Sequence, residues 1–198
     1  MFERVLLLAP HLDDIELGAG GLVARLSEKS HITYMGFYTP HELRSEFRQS
    51  ADILGINELI LHDFERRTFP SHRQEILQIL YDYDKIHDVD LVLTPATTDI
   101  HQDHQTITDE AIRAFRRSTI LGYEVPGNNL MINQRCFVRL NEEHIRKKVE
   151  SLSCYESQLK TRAPKFTEEY TRSRTINYGV HIKAKYAEIF EVIKLVII

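Results

Sequence analysis

A histidine and two adjacent carboxylates follow directly on the apolar run Val5 to Leu8, in the stretch Pro10-His11-Leu12-Asp13-Asp14-Ile15-Glu16. A second apolar run, Leu91-Val92-Leu93, opens into another dense cluster, Asp99-Ile100-His101-Gln102-Asp103-His104. Imidazole and carboxylate suit a borderline divalent metal, and three protein ligands leave one coordination position open where four would close the site. His11, Asp14 and His104 supply such a set: a turn at the strand end can bring His11 and Asp14 inward together, and His104 arrives from the edge of another strand. Asp13 and His101 then stand near the metal unused. Zinc brings the pKa of a water down to about 7, and a carboxylate beside it can take the proton as the water attacks a carbonyl, so Asp13 is expected as general base. The resulting oxyanion needs positive charge already in place; a protonated His101 would add to that of the metal. Asp103 would hold the His101 ring and favour its charged form. Asp109 and Glu110 are expected to be solvated helix residues.

These clusters need a scaffold that brings two remote loops together. Short β-branched or leucine-rich runs alternate with longer amphipathic ones: Arg4 to Ala9 then Gly20 to Lys29, His31 to Tyr38 then Glu42 to Leu54, Glu58 to His62 then His72 to Ile86. Asp90 to Thr94 then Asp103 to Arg117, and finally Thr119 to Tyr123, continue the alternation. It predicts an α/β fold with a mostly parallel sheet covered by helices on both faces. In such sheets ligands bind beyond the carboxyl ends of the strands, where both clusters fall. Gly18, Gly20 and Gly21 are expected between the first strand and first helix, letting the chain pack closely around the acidic turn. From about Ile132 the pattern changes. Cys136 to Leu140 reads as a strand, Asn141 to Tyr155 as a helix capped by Asn141, and Glu156 to Lys165 as a polar stretch, together forming a C-terminal appendage.

The 198 residues, 42% apolar and with a formal charge of -4, set the default of one domain over 1–198. They carry no basic excess of the kind that nucleic-acid or anionic-membrane binders show. Cys136 and Cys154 form no CxxC pair, so neither a disulfide scaffold nor a thiolate zinc site is indicated and a cytoplasmic setting fits. The apolar stretch near the amino terminus is too short and too acidic for a signal peptide. The apolar tail Ile189 to Ile198 is far short of the roughly 18–20 residues of a membrane span. It reads as a closing strand or helix edge, to be covered by the fold or by another subunit in a homo-oligomer.

Pro10-His11-Leu12-Asp13-Asp14 with Glu16 and Gly18-Ala19-Gly20-Gly21, followed in order by Asp99-Ile100-His101-Gln102-Asp103-His104, closely resembles the paired signature of the PIG-L/LmbE-like zinc-dependent N-deacetylases. Similarity extends through Glu46 with Leu54-Gly55, Tyr123-Glu124-Val125-Pro126, Lys148 with Tyr155-Glu156-Ser157-Gln158, and Tyr186-Ala187-Glu188-Ile189-Phe190. The resemblance implies a Rossmann-like three-layer sandwich and removal of the N-acetyl group from an amino sugar, often an N-acetylglucosamine on a larger aglycone. It implies the same roles: His11, Asp14 and His104 on zinc, Asp13 as base, His101 as electrostatic stabiliser or acid. Three positions depart from the family pattern. Leu12 replaces a common proline, Leu43 stands where an arginine is frequent with Arg44 next to it, and Asp99 stands where some members place a tyrosine; Asp99 is expected to shape the loop.

Sugar recognition calls for carboxylates, amides and arginines beside the metal, which makes Arg44, Asp63, Glu124 and Asn128 the candidate substrate contacts, with Arg66, Arg67 and Asn129 on the same rim. Arg172 and Arg174 could meet a phosphate-bearing aglycone, with an ordinary cationic helix face as the favoured reading. Iron(II) or cobalt could occupy the same ligand set. Two further readings remain at this stage: an amidase for a non-sugar N-acyl compound, and a non-catalytic nucleotide-binding module using the Gly18 to Gly21 loop.

Overall fold

The computed structural model of the chain describes residues 2–131 and 135–197. The change of pattern at Ile132 and the last residue of the tail, Ile198, lie outside the described residues. Five strands run parallel: β1 (Arg4–His11), β2 (His31–Tyr38), β3 (Glu58–Leu61), β4 (Leu91–Pro95) and β5 (Thr119–Tyr123). Two more, β6 (Cys136–Leu140) and β7 (Tyr186–Lys194), add antiparallel pairings, and the sheet order is β3-β2-β1-β4-β5-β7-β6.

β1 shows why the parallel core forms. Its successive side chains enter opposite faces: Val5, Leu7 and Ala9 pack with α1 (Asp14–Leu26) and α2 (Arg44–Leu54). Leu6 and Leu8 pack with α3 (Arg73–Ile86) and α4 (Gln102–Ala114). A strand with no polar residue between positions 5 and 9 can only sit where both faces are covered. α5 (Glu142–Ser153) joins the first face through Leu152, completing three layers, and α6 (Glu156–Arg162) and α7 (Glu168–His181) belong to the C-terminal appendage. Asn141 caps α5 as expected, accepting from the His144 amide at 2.9 Å. β1 has β2 on one side and β4 on the other, so the strand order reverses there and opens a crevice beyond their carboxyl ends. His11 ends β1, the loop after β4 carries Asp99 and His101, and the first turn of α4 carries Asp103 and His104.

The first helix differs from the expectation. α1 starts at Asp14, directly after β1, so Gly18, Gly20 and Gly21 lie inside it and form no phosphate-cradling loop. The carboxylates Asp14 and Glu16 in its first turn suit the positive end of a helix. The glycines serve packing instead: a Cβ at Gly18 would lie 2.6 Å from Tyr123 Cδ2 and 2.9 Å from the Glu124 carbonyl oxygen. On the other side of α1, Glu188 of β7 accepts the Gly21 and Leu22 amides at 2.9 and 2.7 Å. Lys148 of α5 donates to Glu188 at 2.6 Å and to the Leu17 carbonyl at 2.9 Å.

The carboxyl-terminal tail forms a strand covered by the fold, in line with one of the expected readings: β7 is inserted between β5 and β6 and buries Ala187, Ile189 and Phe190. One other expectation changes: Glu110 is not solvated but buried, and it accepts from Arg73 Nε at 2.7 Å. Among the described residues no helix is long and apolar enough to cross a membrane.

Gly18→Ala tests the close approach of α1 to β5. Helix propensity alone would favour alanine by about 1 kcal/mol. The added methyl must displace backbone, so a net loss of about 1–3 kcal/mol in urea unfolding is expected; an unchanged or raised midpoint would contradict the packing.

Candidate active site

Three donor atoms converge at the crevice. The His11 amide donates to Asp14 Oδ2 at 2.8 Å, which closes the strand-to-helix turn and aims both side chains at one point. His11 Nδ1 lies 3.2 Å from Asp14 Oδ2, Asp14 Oδ2 lies 3.3 Å from His104 Nε2, and the two imidazole nitrogens are 3.1 Å apart. A tetrahedral zinc with bonds of about 2.0–2.1 Å separates neighbouring ligand atoms by roughly 3.3–3.4 Å. The residues therefore fit a small divalent cation. His101 is close by, and ligand atoms of His11, His101 and His104 lie within 4.8 Å of one another, a group that could hold a metal ion. The tighter triangle is the one containing Asp14.

The surroundings determine which nitrogen of each ring is free. His104 Nδ1 lies 2.8 Å from Asp99 Oδ2, so a proton is held on that side and Nε2 is the nitrogen that faces the centre. The other Asp99 oxygen accepts the His101 amide at 2.8 Å. Asp99 thus does more than shape the loop: it orients the His104 ring. Burial works against a charged His104, but the carboxylates of Asp14 and Asp99 outweigh it and raise the ring to about 10. Burial likewise pushes Asp14 up, and the cationic His104 and His11 rings more than reverse this, holding it well below the usual carboxylate range.

Asp103 and His101 part from the expectation. The Asp103 carboxylate accepts the amides of Arg67 at 2.7 Å and Phe69 at 3.3 Å, and lies 3.5 Å from His11 Nε2. It stands 3.9 Å from His101 Nδ1, whose lone pair is taken by the Asp103 backbone amide at 3.2 Å. Asp103 therefore supports His11 from behind, and its pull toward a charged His101 is outweighed. Burial, then the nearby His104 and His11, lower His101 to about 4, so the ring is neutral at pH 7. Asp13 is buried beside the triangle; burial first, then Asp14, raises its carboxyl above the ordinary value while Arg162 and Lys165 pull the other way.

His11, Asp13, Asp14, His101 and His104 line a cleft of about 440 Å³ that also includes Tyr38, Arg66, Asn128 and Arg162. Of the four candidate substrate contacts only Asn128 lines it. Arg44 is bonded to Asp63 and to the Thr39 carbonyl, and neither side chain reaches the cleft, because each satisfies the other. Glu124 accepts from Arg174 at 2.6 Å and Tyr178 at 2.9 Å in a separate small cavity. Arg174 is accordingly no ordinary cationic helix face: it sits between the rings of Tyr170 and Tyr178. No motif read from the sequence points to Arg162, which approaches from α6.

The chain is 29% identical over 169 residues to the uncharacterized deacetylase YaiS of Escherichia coli K12, covering 78% of this chain and 91% of that protein. The structure is similar to that of the conserved protein TT1542 from Thermus thermophilus, with a TM-score of 0.78 and 22% identity over 100% of this chain and 97% of that one. It is similar as well to GalB, the 4-carboxy-2-hydroxymuconate hydratase of Pseudomonas putida, with a TM-score of 0.75 and 16% identity over 99% and 98% of the two chains. At such identities these two likenesses show a shared fold. Residues 6–115 match the family described as PIG-L: GlcNAc-PI de-N-acetylase, and by that match over more than half of its length the chain belongs to this deacetylase family.

Proposed function

We propose that the chain acts, over 1–198 as one unit, as a metal-dependent hydrolase that removes the N-acetyl group from an amino sugar of the N-acetylglucosamine type or from its conjugate. The observation that carries this reading is the convergence of His11 Nδ1, Asp14 Oδ2 and His104 Nε2 within 3.1–3.3 Å, beside the buried carboxylate of Asp13. The family description, which names an N-acetylglucosamine substrate, supports the choice of sugar. The fold by itself does not choose the reaction, since a hydratase shares it.

In this reading His11, Asp14 and His104 would hold zinc, with iron(II) or cobalt as candidates for the same set. A divalent cation bound there would supply Lewis-acid chemistry. Asp13 takes the proton of the attacking water and passes one to the departing nitrogen, so the amide C–N bond breaks to give acetate and a free amine. His101, neutral and with Nδ1 occupied by the Asp103 amide, keeps Nε2–H as a hydrogen-bond donor for the developing oxyanion. Asp103 and Asp99 position His11 and His104 from behind. Asn128 meets the sugar from the cleft wall.

An acetate-release screen of the zinc-loaded protein over N-acetylglucosamine conjugates and acylated non-sugar amines tests the reading. Release from the sugars is expected, release confined to non-sugar amides would move the substrate class, and no release from either would remove the deacetylase reading. Asp13→Ala is expected to keep one zinc per chain and lose about 10²–10⁴ in turnover; His104→Ala should lose the zinc itself. Full turnover in the first variant, or stoichiometric zinc in the second, contradicts the assigned roles. Because His104 is raised to about 10, the metal-free ring carries a proton at pH 7 that must leave when its Nε2 coordinates a cation. Metal affinity should therefore rise with pH between about 6 and 8, with proton release seen by calorimetry in buffers of differing ionisation enthalpy; a pH-independent affinity would refute that protonation state.

A further inference from the structure

Arg162 closes α6, and its Nη1 lies 3.2 Å from Asp13 Oδ2, across 149 residues of sequence. The two partners are unequal: Asp13 has 5% of its surface exposed, whereas the Arg162 side chain is 37% exposed. An ion pair between two solvated groups adds almost nothing, but here a buried carboxylate has one fixed cation against one oxygen. Among the described residues no group hydrogen-bonds the other oxygen, Oδ1, and Asp13 lines the cleft.

The way α6 is held shows that the contact is built. None of its own residues is fully buried, and only Leu159 packs against the core. It is the middle of a strap pinned at both ends. Tyr155, fully buried, donates to Glu16 Oε1 at 2.9 Å, and Phe166, also buried, faces the Tyr155 ring at a centroid distance of 6.2 Å. Glu46 of α2 anchors the start of the helix, accepting the Ser157 amide at 3.1 Å and its hydroxyl at 2.7 Å. The strap between these tethers brings Gln158, Arg162 and Lys165 onto the cleft wall.

We propose that Arg162 is a positioning residue for Asp13: by holding Oδ2 it leaves Oδ1 toward the cleft as the proton acceptor, so that a segment beyond the 6–115 family match completes the active site. The inference rests on the deacetylase reading above and assigns Arg162 no contact with the reacting atoms. Proton transfer is sensitive to placement, and a displacement of about 1 Å costs up to about 100-fold.

The test uses the full-length zinc-loaded protein and acetate release from the best sugar substrate. Arg162→Ala should lower kcat about 10- to 100-fold with KM changed less than about threefold, and with zinc content and thermal midpoint as in the wild type. Arg162→Lys should restore part of kcat, as should added guanidinium ion with the alanine variant. Arg162→Gln, which keeps a donor without the charge, covers the case in which alanine loosens the strap. Unchanged kcat in both the alanine and glutamine variants overturns the proposal. So does a loss expressed in KM alone, which would mark a substrate contact, or one accompanied in both variants by loss of zinc or stability. Absence of acetate release by the wild type would remove the deacetylase reading and this inference with it, whereas an active wild type with indifferent variants sinks the positioning role alone.

Discussion

Two imidazole nitrogens and a carboxylate oxygen held 3.1–3.3 Å apart impose the main constraint on this molecule. Lone pairs that close repel unless positive charge lies between them, so the arrangement is stable only with a cation or protons at its centre. Everything that touches the triangle works to keep its geometry. The Asp14 carboxylate is tied to the His11 amide, Asp99 takes the far side of His104, and Asp103 stands behind His11 while anchored on two loop amides. The sheet places these pieces by reversing its strand order at β1, which puts the end of that strand beside the loop after β4.

A second demand is to bury a carboxyl beside the site. Glu16, in the first turn of α1 and fully buried, is pushed up to about 7 by burial; the hydroxyls of Ser50 and Tyr155 both donate to its Oε1, while Oε2 has no hydrogen-bond partner among the described residues. Such partners are what makes a carboxyl tolerable in a core. They also tie α1 to α2 and to the segment leading into α6, so the scaffold and the cleft wall share one polar network. The helix that carries Asp14 is thus bonded to hydroxyls contributed from remote parts of the chain.

Much of this was legible in the residues. Alternating apolar runs imply the parallel sheet because a strand such as Val5 to Ala9 has no face to show to water, and a histidine and aspartate placed just past such a strand fall at its carboxyl end. Local spacing could not show where the carboxylates turn. The start of α1 at Asp14 hides behind three glycines that look like a loop until the backbone of β5 is seen against them. Asp103 is two residues from His101, yet its orientation is decided by the Arg67 and Phe69 amides, which come from a remote loop. Arg44, Asp63 and Glu124 have the chemistry of sugar contacts, but other protein groups already satisfy them. Arg162 belongs to a polar stretch with no periodicity, and only tertiary placement distinguishes it from a solvated cation.

The grip of Glu188 on the Gly21 and Leu22 amides, with Lys148 bridging to Leu17, joins the next-to-last part of the chain to the first helix. Synthesis runs from the amino terminus, and the helix bearing Asp14 leaves the ribosome long before β7 does. The nascent chain therefore carries a first helix whose Gly21 and Leu22 amides lack the Glu188 acceptor until β7 has emerged. A cleft wired in this way assembles late, with the arrival of β7 in the sheet.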